Sequence, residues 1–176
     1  ISKYDIAILE DAAYSELAFD NVKRDPLISM DTKGQVIYCG SFSKTFCPGL
    51  RVAWIAACKN LIDKFLLLKT NVDLSSSSIT QRQVAWYLDQ FDFDIHIQGI
   101  TSLYKARRDV MVEKMNEYFP KEVRYEVPYG GLFLWVELPE GKDSAELLKL
   151  ALKEKVAFVP GGAFYVKHSK CNEFRL

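Results

Sequence analysis

Residues 40–51 read GSFSKTFCPGLR and follow directly on the apolar run VIYC at 36–39. A buried strand that opens into hydroxyls, an amine, a Pro-Gly pair and a guanidinium is the pattern of an open α/β sheet, where ligands collect beyond the C-terminal ends of strands. Hydroxyls and a planar arginine fork beside backbone N–H groups suit a phosphate. Lys44 differs from Arg51 in being able to shed its proton. Once desolvation or a nearby cation depresses its basicity, its amine can attack a carbonyl.

A second strand end has the same character. The run IAIL at 6–9 turns acidic at Glu10 and then presents Asp11 and Tyr14. A phosphate receptor, a reactive lysine and a carboxylate together describe a pyridoxal-phosphate site. There the lysine forms the Schiff base and an aspartate keeps the pyridine nitrogen protonated.

Further along, QVIYC (35–39) and RVAWIAAC (51–58) read as strands, and 59–70 as an amphipathic helix carrying Leu61, Ile62, Phe65 and Leu66 at helical spacing. Ser78 and Gln81 have capping-box spacing and open a helix running to about Leu88. A long helix is expected from Asp92 to Tyr118, with Ile100, Leu103, Tyr104, Val110, Met111 and Met115 on its apolar side and Pro120 as its stop. Strands 123–127 and 132–138 flank the turn PYGG, with Leu132, Leu134, Val136 and Leu138 sharing one face. Asp143 caps a helix to about Lys153, VAFV forms a strand before the turn PGG, and EFRL forms another. No linker rich in Pro, Gly or Ser divides the chain. The expected boundary is near residue 95, giving domains 1–95 and 96–176.

The segments EDAAY, GSFSKTFCPGLRVAW, YKARRDVMVEKM, YGGLFLWVELPEG, VAFVPGGAFY and FRL occur in an order that resembles the class I and II pyridoxal-phosphate aminotransferases of fold type I. The likeness is greatest to the group of 2-aminoadipate aminotransferases and the C-terminal domains of MocR-type regulators. It extends along essentially the whole chain, and the S-x-S-K-x-x-x-P-G-x-R block is its most specific part. The resemblance implies an α/β fold: 1–95 as the C-terminal part of the large cofactor-binding domain, with a mixed, mostly parallel sheet, and 96–176 as the connecting helix and a small α+β domain. It implies pyridoxal 5′-phosphate bound covalently by Lys44, which also shuttles the proton. Asp11 would partner the pyridine nitrogen, Tyr14 the cofactor's 3-oxygen, and Ser41, Ser43 and Arg51 the phosphate. Arg175 would grip the substrate carboxylate. The implied reaction moves an amino group between a 2-amino acid and a 2-oxo acid. The resemblance also implies a homodimer. The chain would then be the C-terminal half of such a protein, inactive alone. Two positions depart from the pattern, Ala53 where glycine is usual and Glu173–Phe174 before the arginine.

Composition agrees with an enzyme and sets limits on other classes. Lys+Arg (23) balance Asp+Glu (23), so no overall field draws nucleic acid or acidic lipid to this region. The four cysteines have no C-x-x-C pairing, and neither His96 nor His168 has a partner at ligand spacing, so no metal site is expected. No apolar run is long enough to span a bilayer. Free thiols point to the cytoplasm. Arg107–Arg108 read as a solvated helix face. The alternative function is the effector-sensing domain of a MocR/GntR-type transcription regulator, which shares every motif quoted above.

Overall fold

The computed structural model describes residues 3–4, 6–20, 22, 25–166 and 171–176. His168 lies outside the described residues. The fold is α/β and separates into two compact units, Ile1–Ser102 and Leu103–Leu176.

Unit 1 is built on a three-stranded sheet in the order β1 (Ile8–Asp11), β2 (Val36–Ser41), β3 (Ala53–Ala56). β1 and β2 pair in parallel with Asp11 opposite Cys39, whereas β2 and β3 are antiparallel with Ser41 opposite Ala53. Parallel pairing makes β1 and β2 finish at the same end of the sheet, so the two polar strand ends emerge side by side. Val36 and Ile37 are buried on β2, and Leu17 and Phe19 are buried in the segment after β1.

Two carboxylates fix the connection between these strands. Glu10 accepts the N–H groups of Leu27 and Ile28 (2.9 and 3.2 Å), satisfying donors at the start of the short 3-10 helix Leu27–Met30. Asp31 accepts from Lys33 (2.9 Å) and from Val36 (2.6 Å), the first residue of β2. The Val36 N–H, then the Lys33 N–H, hold its carboxyl below the ordinary carboxylate range.

Four helices follow β2 in this unit or begin in it: α1 (Phe42–Thr45), α2 (Lys59–Val72), α3 (Ser78–Gln90) and α4 (Phe93–Tyr118). The cap of α3 falls one residue earlier than its sequence spacing suggests. Ser77 Oγ accepts from Thr80 N–H (3.5 Å), while the Gln81 side chain donates to the Ser76 carbonyl (3.0 Å), so the Ser78–Gln81 box does not form. α2 forms as its periodicity predicts, yet none of its residues is buried, and Leu67 is 70% exposed. α4 passes from one unit into the other between Ser102 and Leu103.

Unit 2 carries an antiparallel sheet in the order β4 (Arg124–Tyr125), β5 (Trp135–Glu137), β7 (Glu173–Arg175), β6 (Val159–Pro160). Trp135, Val136 and Glu137 lie opposite Arg175, Phe174 and Glu173. Met115, Leu134, Val136 and Phe174 form one contiguous core, with Leu147 of α5 (Ser144–Lys153) and Phe158 packed on it. Alternation along 133–137 is as expected for a half-buried strand: Leu134 and Val136 point in, while Phe133 and Trp135 remain partly exposed. Asp143 Oδ1 caps α5 by accepting the Ala145 N–H at 2.7 Å. The expected strand at 156–159 is shorter. It pairs with β7 only at Val159–Pro160, then turns at Gly161, where a Cβ would stand 2.6 Å from the Glu173 carbonyl oxygen. On α4 the apolar side is narrower than its sequence suggests. Met115 is buried, but Val110 and Met111 face outward. Arg108 is also not a solvated charge: its side chain is only 11% exposed, and Nη1 donates to the Pro128 carbonyl while Nε meets Asp109.

Candidate active site

The site is assembled where β1 and β2 end. Ser41 closes β2 and caps α1, its Oγ accepting the Ser43 N–H at 3.1 Å. Phe42 N–H reaches the Val52 carbonyl (3.1 Å), and Phe46 and Cys47 both donate to the Phe42 carbonyl, so the chain reverses within one turn. Pro48 opens the 3-10 turn Pro48–Leu50, which ends at Arg51 with φ 54°. That turn returns the guanidinium to the serines: Arg51 Nη1 donates to Ser43 Oγ at 3.5 Å. Lys44, half-buried, places Nζ 5.8 Å from the centroid of the Tyr14 ring.

Asp11 stands at the neighbouring strand end, across from Cys39. Its Oδ1 accepts the Ala13 N–H (3.3 Å) and thereby shapes the bend that carries Tyr14. Burial, and then the Asp11 charge, push the Cys39 thiol above its ordinary value. The loop is braced from below. Ser15 Oγ bonds the Ala12 carbonyl (2.9 Å) and lies 3.3 Å from the Tyr38 hydroxyl. The Tyr38 ring stacks on Trp54 with centroids 5.1 Å apart. Gly40 makes this possible, because a Cβ there would fall 2.3 Å from the Trp54 ring.

The structure therefore joins Lys44 to Tyr14, and Ser41 to Ser43 to Arg51, with Asp11 at the adjoining strand end. Arg175 belongs to unit 2 and is described there. Its guanidinium carbon sits 4.1 Å from the Phe133 ring centroid and 4.9 Å from that of Phe164. Its Nε is buried with no hydrogen-bond partner. A flat cation held between two rings, with an unsatisfied donor, suits a planar anion such as a carboxylate. Glu173, two residues before it, is buried and accepts a hydrogen bond from the Tyr165 hydroxyl.

Several of these residues have no signal in the sequence. The Tyr38–Trp54 brace, the Phe133–Phe164 clamp and a contact from His96 to Thr45 all join positions far apart in the chain. Among the described residues no group of His, Cys, Asp and Glu could hold a metal ion. No described helix is long and apolar enough to cross a membrane.

The donor set fits a phosphorylated aldehyde: two hydroxyls and a guanidinium for the anion, an amine for the carbonyl, and a carboxylate and a phenol for the ring. A β-strand that ends in such a lysine loop defines a class, and comparison with known proteins names it. The model of the aminotransferase class I and II family matches residues 1–176, and the chain belongs to that family. It is 40% identical over 176 residues to aromatic-amino-acid aminotransferase 1 of Thermococcus litoralis, covering 99% of this chain and 42% of that protein. The crystal structure of LysN, the α-aminoadipate aminotransferase of Thermus thermophilus, complexed with N-(5′-phosphopyridoxyl)-L-leucine, superposes with a TM-score of 0.93 at 36% identity. It covers 97% of this chain and 44% of that one. The HTH-type transcriptional regulator YdcR of Escherichia coli also matches, with 33% identity over 99% of this chain and 37% of its own length. The chain thus spans less than half the length of these relatives.

Proposed function

We propose that the protein to which this chain belongs is a pyridoxal-5′-phosphate-dependent aminotransferase, moving an amino group between a 2-amino acid and a 2-oxo acid. The observation that carries this reading is the meeting of the Lys44 amine with Tyr14 beside the Ser41–Ser43–Arg51 chain. When bound, the cofactor supplies an aldehyde for the amino group and a ring that withdraws electrons from the substrate's α-carbon.

The chain's own residues do the rest. Ser41, Ser43 and Arg51 oppose the phosphate charge with hydroxyl and guanidinium donors. Asp11 would keep a positive charge on the ring nitrogen, and Tyr14 would donate to the ring oxygen. Lys44 would hold the cofactor through its Nζ amine. When free, that amine would accept and return a proton at the substrate's Cα. Arg175 receives the substrate carboxylate between Phe133 and Phe164. Residues 1–95 would be the C-terminal part of the cofactor-binding domain, and 96–176 the connecting helix and small domain. We read the full protein as a cytoplasmic homodimer, a reading supported by its family and by the free cysteines.

The similarity to YdcR favours a second reading, an effector-sensing domain on a DNA-binding regulator. The higher identity to the enzymes supports the first. Assaying the full-length protein with a panel of amino donors and 2-oxoglutarate separates the two. Turnover with at least one donor is expected. Cofactor binding without turnover, together with binding to duplex DNA, would establish the regulator instead.

A further inference from the structure

We propose that His96 is a positioning residue for Lys44: its ring holds the carbonyl next to that lysine and so fixes where the amine stands. The inference rests on Lys44 being the cofactor-bonding amine. His96 Nε2 lies 2.9 Å from the carbonyl oxygen of Thr45. A carbonyl only accepts, so Nε2 carries the hydrogen. Thr45 is 5% exposed, and its carbonyl is one of the last in α1, which has no intrahelical partner to offer it. A basic ring at the C-terminal end of a helix is a favourable replacement.

The need for such an anchor follows from the size of α1. A helix of one turn cannot hold itself, because too few bonds repay the ordering of its backbone. The direction of Lys44 is therefore set by what ties Phe42–Thr45 down at each end. At the start these ties are the Ser41 cap and the Phe42–Val52 bond. At the end, beside the Phe46 and Cys47 N–H bonds to the Phe42 carbonyl, the tie to another element is His96, contributed by the first turn of α4. His96 is itself locked by three rings: Phe93 stacked at 5.8 Å, with Phe46 and Tyr87 edge-on at 5.9 Å each. Phe46 directly follows Thr45, so the same cluster grips the segment through both its ring and its carbonyl. A donor held this firmly loses little freedom in making its bond.

Two variants of the full-length holoenzyme separate the hydrogen bond from the packing. His96→Phe keeps an aromatic ring and loses the donor. His96→Gln keeps an amide N–H at comparable reach and loses the ring. A displaced amine costs rate rather than affinity, so His96→Phe is expected to lower kcat about tenfold with KM within about twofold. The pH midpoint of the Lys44–cofactor absorbance should also move, by about half a pH unit or more. His96→Gln should recover most of both. Equal losses in the two variants, following only their melting temperatures, would overturn the inference, as would an unchanged kcat and midpoint in His96→Phe. Should both variants fail to fold, 15N-histidine NMR of the unmodified protein still decides. A ring that carries hydrogen on Nε2 is expected, and one that carries it on Nδ1 alone would refute the bond. Borohydride reduction followed by peptide mapping keeps the two claims apart. An adduct absent from Lys44 defeats the functional reading, whereas an adduct on Lys44 with a silent His96→Phe defeats only this one.

Discussion

Unit 2 has a core and unit 1 has the chemistry. In unit 2, Met115, Leu134, Val136 and Phe174 touch one another around β5 and β7, and helix α5 closes over them. In unit 1 the buried apolar residues described are Leu17 and Phe19 after β1, Val36 and Ile37 on β2 and Val84 on α3, while β3 and α2 leave Trp54, Ile55 and Leu66–Leu68 exposed in this chain. The candidate machinery shows the reverse. Six of the seven proposed site residues lie in unit 1, and unit 2 contributes Arg175 alone. A core determines whether a unit stands by itself. A strand-end loop determines what it can do. In unit 1 the functional groups are held by local ties: the Ser41 cap, the Gly40–Trp54–Tyr38 brace and the two carboxylate-held turns.

The sharpest way to break this contrast is at Lys44. Lys44→Ala in the full-length protein should lower amino transfer about a thousandfold or more while leaving the melting temperature nearly unchanged. Substantial turnover in that variant would remove the chemistry from unit 1. The opposite separation is expected in unit 2. Phe174→Ala should cost about 3–5 kcal/mol of stability by denaturant unfolding, because a buried ring leaves a cavity.

A third test concerns the phosphate. Arg51→Ala is expected to weaken cofactor retention about tenfold while slowing chemistry less at saturating cofactor, since a charge-assisted contact is lost from binding and not from the reacting atoms. An unchanged dissociation constant would argue against the contact. On a similar scale, Gly40→Ala should cost about 1–3 kcal/mol and alter tryptophan fluorescence, as the new methyl drives Trp54 off Tyr38. The smallest effect belongs to Asp31. Its folded carboxyl titrates below the ordinary 3.8, so its contribution is present above that pH and fades as pH falls through the lower folded value. Asp31→Asn should therefore lose stability at neutral pH and flatten the acid limb of the stability profile.

The sequence carried the strand ends and the lysine loop clearly, because these depend on short-range order: an apolar run, then polar residues at fixed offsets. β1 and β2 form close to the two apolar runs but extend to Asp11 and Ser41 rather than stopping at Leu9 and Cys39, and the one-turn helix α1 occupies 42–45, where the sequence reads as a loop. Contacts that close over long separations were not legible. Nothing about Arg108 indicated that it would reach the Pro128 carbonyl, nor about His96 that it would meet Thr45, because each bond depends on how α4 is laid against other elements. The Ser77 cap shows the same limit over a short distance. Adjacent serines offer the same hydroxyl, and backbone geometry rather than residue type decides which one caps.

The most direct measurement is to load the full-length protein with pyridoxal 5′-phosphate, reduce it with borohydride, digest it and locate the added mass. The account predicts a single modified peptide, with the adduct on the Nζ of Lys44 and none in Lys44→Ala. An adduct on another lysine, or an unmodified GSFSKTFCPGLR peptide after full reduction, would contradict it.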